Sequence, residues 1–294
     1  MRVCHDLLWA TVTDLGRRQA TPLDGSADDW WQSGETLHRY LAGHAAEWWV
    51  AEDPGATEII GYARSIERGG LFELTELFVR PGRQSKGIGR ALLDRAFPAG
   101  RGAVRALLAT GDVRALARYH TTGLVVRFPI LTLEAAPGTL ELAPDGVDRD
   151  GDEITPSRID GDADLAAVVE LERAVVGYAR EGEELRWLAG DREGHLYRRG
   201  DRPIGFAFVG ASGSGPIAAL EPKDLPAILL HVEDRARTIG IERLEFEIPS
   251  PNEVAIRHLM RRGYRFNPWI NYFMSDRPFG RFDRFVSFSP PIFL

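Results

Sequence analysis

The sequence predicts an α/β chain of the α+β type, with two tandem domains that each contain a mixed, mostly antiparallel sheet flanked by helices. Two observations lead to this prediction. The 294 residues are many for one ordinary domain and suit two. Strand-like and helix-like segments also follow the same order on either side of residues 137–151, a stretch rich in Pro, Gly and Asp. We therefore expect a first domain over residues 1–136, a linker over 137–151 and a second domain over 152–294.

The composition is that of a soluble globular protein, with 44% hydrophobic and 27% charged residues. No stretch has the length of apolar residues that a membrane span needs, and the N-terminus lacks the apolar run of a signal peptide. Cys4 is the only cysteine, so no intramolecular disulfide can form. We expect a protein of the reducing cytoplasm.

Charge and histidine spacing restrict the classes of ligand. The net charge of -7 argues against nucleic-acid and membrane partners, and the seven histidines lack the spacing of a metal site, so no metal is expected. The basic residues are clustered, however: residues 80–118 carry a net charge of +7 and the rest of the chain carries -14. A basic segment in an acidic protein favours a small polyanionic ligand, although solvated arginines on helix surfaces would give the same pattern.

In the first half, apolar periodicity and turn residues predict the elements in order. Ser26 is the expected cap of the second helix. The predicted elements are helices over 2–18 and 27–45, strands over 47–52, 58–67 and 71–80, a helix over 88–97, a strand over 103–109, a helix over 112–122 and a strand over 124–133. The second half starts with a strand, but the first half starts with a helix. We therefore expect that its first strand was lost or lies upstream of Met1.

The second half repeats this plan, with strands over 153–159, 195–199, 203–210 and 215–220 among its predicted elements. Its helices are predicted over 162–176, 181–190, 224–239 and 252–262, and further strands over 241–248, 264–275 and 284–289. The two halves match at a constant offset of 140 residues. At this offset Asp94-Arg95-Ala96 corresponds to Asp234-Arg235-Ala236, and Gly123 to Gly263. One offset that covers two separate helices without a gap indicates two copies of one fold.

The segment between the third strand and the next helix has the features of an anion site. The first N–H groups of a helix lack internal partners, and the helix dipole favours negative charge at that end. Gly87 and Gly89 allow a phosphate to approach the backbone closely. Arg83, Lys86 and Arg90 flank the loop and can add charge-assisted hydrogen bonds.

Leu77-Phe78-Val79-Arg80-Pro81, followed by Gln84-Ser85-Lys86-Gly87-Ile88-Gly89, resembles the signature of the GCN5-related N-acetyltransferases, Q/R-x-x-G-x-G/A after a strand. The order of the predicted strands is similar to that of this family as well. The resemblance implies acetyl-coenzyme A as the donor. It places Phe78 and Val79 against pantetheine, and the phosphates against Arg83, Gln84, Ser85, Lys86, Gly87, Ile88, Gly89 and Arg90.

The segment from Asp112 to Gly123 resembles the family's next motif, in which a polar residue begins a helix and a Tyr lies four residues before a Gly. The resemblance makes Asp112 a cofactor-side residue and Tyr119 the acid that protonates the departing thiolate; otherwise Tyr119 would be a core residue. The base is Glu76 in this interpretation, acting directly or through water. A strand bulge would make Glu73 equally possible, because it changes which carboxylate faces the site. A backbone N–H, that of Val79, would stabilise the oxyanion.

The second copy lacks the residues that the donor needs. At the offset of 140, Ala227 and Leu229 replace the two loop glycines, Pro226 replaces Lys86, and Leu259 replaces Tyr119. We therefore expect a degenerate second domain with a structural or substrate-cleft role.

Three functions compete at this stage. The first is an enzyme, an acetyl-coenzyme A-dependent N-acetyltransferase that modifies the amine of a small molecule or an amino-group-bearing substrate by direct attack. The second is a non-catalytic acyl-coenzyme A sensor or scaffold, and the third is a structural module with a vestigial loop. The glycine signature disfavours the third, and Tyr119 favours the first over the second. Either a monomer or a homodimer is compatible with the sequence.

Overall fold

The computed structural model describes residues 1–140, 154–290 and 294, so most of the expected linker lies outside the described residues. The chain divides into two compact units. Among the described residues, unit 1 contains 1–127 and 272–277, and unit 2 contains 128–140, 154–271 and 278–290. Each unit therefore includes chain from both halves of the sequence.

Unit 1 begins with two helices, followed by strands and two further helices. Their bounds are α1 Arg2–Arg18, α2 Ala27–Gly43, β1 Glu47–Glu52, β2 Ile59–Arg68, β3 Leu71–Val79, α3 Ile88–Ala96, β4 Val104–Thr110 and α4 Val113–Thr121. The helix α2 begins as predicted, because Ser26 and Asp29 form a reciprocal capping box. All of these elements lie within two residues of their predicted bounds.

The sheet of unit 1 follows the order β1-β2-β3-β4. The first three strands are antiparallel neighbours, and β4 is parallel to β3. Apolar side chains of α3 and α4, including Leu92, Leu93 and Tyr119, pack with Phe72 and Val79 of β3 in one core. On the other face, Cys4 and Leu7 of α1 pack with Tyr62 in a smaller cluster. The sheet is therefore covered by α1 and α2 on one face and by α3 and α4 on the other.

Unit 2 repeats this order of elements. The elements are β5 Val125–Ala135, which starts in unit 1, β6 Ile154–Arg158, α5 Asp162–Val176, α6 Gly182–Asp191, β7 Glu193–Arg199, β8 Arg202–Gly210, β9 Gly213–Ala219, α7 Leu225–Thr238, β10 Leu244–Pro249, α8 Glu253–Arg262, β11 Arg265–Ser275, which ends in unit 1, and β12 Phe285–Val286. Its five-stranded sheet has the order β12-β9-β8-β7-β6, and β10 pairs with β5.

These observations confirm the predicted α/β class, with two sheets flanked by helices. The sheet of unit 1 contains the parallel pair β3–β4, whereas the pairings of the five-stranded sheet are antiparallel. Residues that correspond at the offset of 140 also occupy equivalent positions in the helices of the two units. Asp112 caps α4 and Asn252 caps α8, and Gly123 and Gly263 both adopt positive φ angles after these helices. Within the described part of the chain, no helix is long and apolar enough to cross a membrane.

Candidate active site

The sheet of unit 1 opens where two parallel strands stop pairing. The strands β3 and β4 pair only as far as Leu74 and Leu107. Both strands continue beyond this point, β3 to Val79 and β4 to Thr110. The last part of β3 therefore has β2 on one side and, on the other, a backbone edge that β4 has left.

A bulge decides which carboxylates of β3 share a face. In the register with β2, Glu76 lies opposite Arg64 and Glu73 lies opposite Ile66. The four residues 73–76 of β3 thus face the three residues 64–66 of β2, and the extra residue is Thr75. Because opposite residues of an antiparallel pair share a face, Glu73 and Glu76 lie on the same face of the sheet. The sequence left this question open.

The free edge of β3 presents backbone N–H groups. Arg80 donates its N–H to the carbonyl of Ile60 on β2 at 2.8 Å. Since backbone groups alternate in direction along a strand, the N–H groups of Val79 and Leu77 point away from β2, toward the open edge. The Val79 carbonyl is already used, because Gln84 donates its side-chain N–H to it at 3.0 Å. The edge therefore offers donors beside the start of the loop.

The loop ends in an uncapped helix N-terminus. Gly87 is the N-cap of α3 with φ of +86°, a left-handed conformation that favours glycine, and no side chain caps the helix. The first helical hydrogen bond runs from the Ala91 N–H to the Gly87 carbonyl, 3.0 Å. The preceding N–H groups, those of Ile88, Gly89 and Arg90, are therefore directed out of the helix and can bind an anion.

Basic side chains surround these donors. Lys86 and Arg90 are exposed and have no hydrogen bond or ion pair with any residue the structure describes. Arg83, which was also expected at the phosphates, forms an ion pair with Asp53 while remaining 44% exposed. Ser85 in this loop has a φ angle of 63°, a left-handed conformation that costs a non-glycine residue about 1–3 kcal/mol.

Tyr119 lies on the α3–α4 face of the sheet, in the same apolar core as Val79. Burial, with a smaller contribution from the Asp112 charge, raises the pKa of the Tyr119 hydroxyl well above its usual value. The hydroxyl has no hydrogen-bond partner among the described residues, yet it is not one of the unpartnered atoms sealed from solvent. It is thus a protonated donor that a ligand can reach.

Asp112 begins the helix that carries Tyr119. Its carboxylate accepts from the Arg114 N–H at 2.9 Å and forms ion pairs with the side chains of Arg114 and Arg18. Partial burial alone would raise the pKa of Asp112, but these hydrogen bonds lower it well below its usual value. Asp112 therefore caps α4 and ties it to α1, and this structure gives it no further contact with the donor edge.

On the opposite face of β3, the Glu76 side chain is fully enclosed. It accepts a hydrogen bond from the Tyr62 hydroxyl at 2.9 Å and forms an ion pair with Arg64. The Nδ1 atom of His38 on α2 lies 3.6 Å from its Oε1 atom. Burial alone would raise the pKa of Glu76, but Arg64, His38 and Tyr62 lower it to about 2. Glu76 is therefore an ionised carboxylate held by three side chains.

Sequence reasoning missed most of this cluster. None of Tyr62, Arg64, His38 and His5 was identified as part of it. The sequence contained a weak signal for the cluster. Tyr62 and Arg64 are two residues apart on β2 and therefore share a face, and once the bulge is known this face is also that of Glu76. Glu73, the alternative base, is buried in an ion pair with Arg68. No group of three or more potential metal ligands occurs in the described ranges.

The comparisons agree with this geometry. Residues 44–123 match the family described as "Acetyltransferase (GNAT) domain". The matched segment begins just before β1 and ends after α4, so it includes the open edge of β3, the loop and Tyr119. This segment of the chain is therefore similar to a GNAT domain. The resemblance inferred from the signature is thereby confirmed. No curated protein matches the chain.

Solved structures share the fold of the whole chain. A protein assigned as an acetyltransferase from Pyrococcus horikoshii aligns with a TM-score of 0.71 and 15% identity, over 96% of this chain and 88% of its own. A GCN5-related N-acetyltransferase from Sphaerobacter thermophilus gives 0.64 and 16%, over 94% and 92%. A tandem GNAT protein from the clavulanic acid biosynthesis pathway gives 0.50 and 17%, over 79% and 83%. At these identities the likeness shows the fold alone, here the tandem GNAT arrangement.

The counterpart of the GNAT loop in unit 2 has become helix. The counterpart of α3 at the offset of 140 would begin at residue 228, but α7 begins at Leu225. Pro226 lies in its first turn, where it removes one N–H group, and Leu229 is buried in the core. Asp224 before the helix is buried and paired with Arg199 at 2.8 Å. This helix N-terminus is thus closed to an anion.

The counterpart of the open edge is occupied by the chain itself. The strand β12 pairs antiparallel with β9 at Ile217 and Ala218. At the offset of 140 these two residues correspond to Leu77 and Phe78, which lie on the open part of β3. The position that unit 1 leaves open is therefore filled in unit 2 by the segment around β12.

Several contacts hold this segment between β9 and β10. The Ser287 N–H donates to the Glu247 carbonyl on β10 at 2.8 Å. The buried guanidinium of Arg192 donates to the Ser289 carbonyl at 2.6 Å and lies 3.9 Å from the centre of the Phe288 ring. A buried cation that donates to several backbone carbonyls and contacts a ring stabilises a fixed arrangement. The second edge is thus a permanent part of the sheet.

Proposed function

We propose that this protein is an N-acyltransferase that moves an acetyl group from acetyl-coenzyme A to the amine of a small-molecule or amino-group-bearing substrate. The observation that carries the proposal is the continuity of the open edge of β3 with the uncapped start of α3. One ligand that has an amide-rich arm and a pyrophosphate can use both sets of N–H groups at once. Acetyl-coenzyme A has both parts in the required order.

In this proposal the donor lies along the end of β3. Phe78 and Val79 contact the pantetheine arm, and the N–H groups of Leu77 and Val79, which point to the open edge, are available to the donor. The pyrophosphate binds the loop from Arg83 to Arg90, where the dipole of α3 and the exposed charges of Lys86 and Arg90 favour it. The thioester carbonyl accepts from the Val79 N–H, which stabilises the oxyanion during attack.

The reaction is direct attack. The lone pair of the neutral amine forms the new C–N bond, the C–S bond breaks, and Tyr119 donates a hydrogen bond and then a proton to the departing thiolate. With a raised pKa, Tyr119 is a weaker acid than a thiol, so this transfer alone is uphill. It is completed because the amine nitrogen becomes strongly acidic once it is bonded to carbon, and its proton replaces, by way of solvent, the one that Tyr119 has lost.

Tyr119→Phe tests the acid role with little structural cost, because the hydroxyl has no partner among the described residues. We expect kcat for coenzyme A release to fall about 10²–10⁴-fold, while the dissociation constant for acetyl-coenzyme A measured by calorimetry stays unchanged. The acceptors tested are n-butylamine, benzylamine, spermidine and L-lysine. Failure of the wild-type protein to bind acetyl-coenzyme A would refute the proposal.

The remaining parts of the proposal concern its setting. The single cysteine suits a reducing cytoplasm, and the negative net charge disfavours nucleic acid and anionic membranes as partners. We assign the chemistry to unit 1 and a structural role to unit 2, in a chain that acts as a monomer or a homodimer.

A further inference from the structure

We propose that His38 is the general base that takes the proton from the acceptor amine, and that Glu76 is the positioning residue that orients His38. This inference rests on the proposed acyl transfer and names the group that makes the amine nucleophilic. It differs from a direct role for Glu76, because the Glu76 side chain is 0% exposed and a substrate cannot contact it.

The two side chains form a carboxylate–imidazole pair. The 3.6 Å between Glu76 Oε1 and His38 Nδ1 is an ion-pair distance, slightly longer than a hydrogen bond. A carboxylate at this position favours the tautomer that carries its proton on Nδ1, so the lone pair is left on Nε2. Tyr62 and Arg64 hold Glu76 on the other side and keep it ionised.

The free nitrogen of His38 can meet a substrate. Its Nε2 atom has no hydrogen-bond partner in the part of the chain that the structure describes, and it is not among the buried atoms sealed from solvent. The neighbouring His5 is a contrast, because both of its ring nitrogens are sealed and unpartnered. Burial lowers the pKa of His5, which keeps that neighbour uncharged. His38 is thus the histidine of the pair that is equipped to exchange a proton.

The ring of His38 is fixed in its orientation by its surroundings. The Trp31 ring is parallel to it, with 4° between the planes and 6.0 Å between the centroids. The His5 ring meets its edge at 5.2 Å. Arg64, which pairs with Glu76, also donates to the backbone carbonyl of His38 at 3.2 Å. One guanidinium therefore sets the positions of both the carboxylate and the helix segment that carries the imidazole.

The pair lies on the correct side of the donor strand. Glu76 and Phe78 face α1 and α2, whereas Leu77 and Val79 face the core that contains Tyr119. An amine that enters from the α2 side would meet His38 before it reaches the thioester at the edge of β3. The base and the acid then lie on opposite faces of β3, so one group can deprotonate the amine while the other protonates the departing thiolate.

The proton balance is complete with these groups. The ammonium form of the acceptor gives one proton to His38 Nε2 and becomes the neutral amine. After attack, the second proton leaves the nitrogen to solvent, and Tyr119, which has protonated the thiolate, takes a proton back from solvent. The imidazolium releases its proton to solvent. The sum is thioester plus ammonium giving amide, thiol and one free proton.

His38→Gln is the decisive variant, because glutamine can keep a hydrogen bond to Glu76 but cannot accept a proton from an amine. Using the best amine of the panel named above, we expect kcat to fall about 100-fold or more. The dissociation constant for acetyl-coenzyme A should stay unchanged, and imidazole added to His38→Ala should restore part of the rate. The matched control is His120→Gln on the exposed surface of α4, which should keep wild-type kinetics.

A second measurement does not depend on turnover. Nitrogen-15 NMR of the histidine rings at alkaline pH should show His38 with its proton on Nδ1 and Nε2 bare. Observation of the opposite tautomer would overturn the pairing, and wild-type kcat in His38→Gln would overturn the role of the base. If acetyl-coenzyme A binds but no amine in the panel is acetylated, the tautomer decides whether the pair exists. Absence of donor binding would instead contradict the proposed function.

Discussion

Replacement of Gly89 by alanine separates the donor-binding role of the loop from its role in folding. Gly89 is the second residue of α3 and its φ angle is not in the left-handed region. An added Cβ would lie 3.6 Å from Val79 Cγ2, an ordinary van der Waals contact. The methyl group therefore fits the free protein. Because alanine is a better helix former than glycine, we expect Gly89→Ala to stabilise the fold by about 0.5–1 kcal/mol.

The same methyl group should leave the donor complex intact. It would contact Val79 Cγ2, and the signature Q/R-x-x-G-x-G/A accepts alanine at this position. Loss of one charged hydrogen bond would cost about 1.5–3 kcal/mol, a dissociation constant about 10- to 150-fold higher, so calorimetry would detect a methyl group that obstructs the pyrophosphate. The assays are urea unfolding for stability and isothermal calorimetry with acetyl-coenzyme A for affinity.

Gly190→Ala in α6 is the matched control. A Cβ at Gly190 would have no atom within 4 Å, so this variant should gain similar stability and bind the donor unchanged. The reasoning would be refuted if Gly89→Ala bound acetyl-coenzyme A about 10-fold or more weakly than the wild type. It would also be refuted if Gly190→Ala lost affinity, since that residue lies outside the proposed site.

Three further predictions concern the buried carboxylates of Glu76 and Glu247 and the number of donor sites. The folded pKa of Glu76, about 2, is below its ordinary value of 4.5, so Glu76 should contribute up to about 3 kcal/mol above pH 4.5, lost as the pH falls toward 2. Urea unfolding against pH should show this loss in the wild type and a flatter profile in Glu76→Gln. Burial raises the pKa of Glu247 in unit 2 to about 8, so stability should fall by up to about 5 kcal/mol as the pH rises from 4.5 to 8, and Glu247→Gln should remove this fall. Calorimetry should give one acetyl-coenzyme A per chain, and a value of two would contradict the filled edge in unit 2.

Local signals made most of the fold predictable. The capping pattern at Ser26, the glycines that end hairpins and helices, and the alternation of apolar residues fixed the elements to within a few residues. The loop was equally accessible, because a glycine pair before a helix has a direct physical consequence for anion binding. The fixed offset between the halves also needed only the sequence.

The features of the fold and the site that the sequence did not predict depend on contacts between segments that are distant along the chain. One extra residue in β3, Thr75, reverses the face of every residue beyond it, and nothing local in the sequence marks the bulge. His38 lies 38 residues from Glu76 along the chain, and the two side chains come together only when α2 packs against β3. Similarly, the pairing of β12 with β9 could not be predicted from composition.

The two edges of the chain show why loss of the loop and closure by the tail belong together. An unpaired strand edge inside a fold leaves backbone donors and acceptors without partners, and each costs free energy unless water or a ligand satisfies it. In unit 1 the proposed donor supplies these partners, so the edge must stay open. In unit 2 the helix start is closed by Pro226 and Leu229, and a pyrophosphate has no site there. The edge of β9 then needs a permanent partner, and β12 provides it with backbone pairs at Ile217 and Ala218. Where the loop glycines are missing, in unit 2, the chain itself fills the strand edge; where they are present, in unit 1, the edge is left open for the proposed donor.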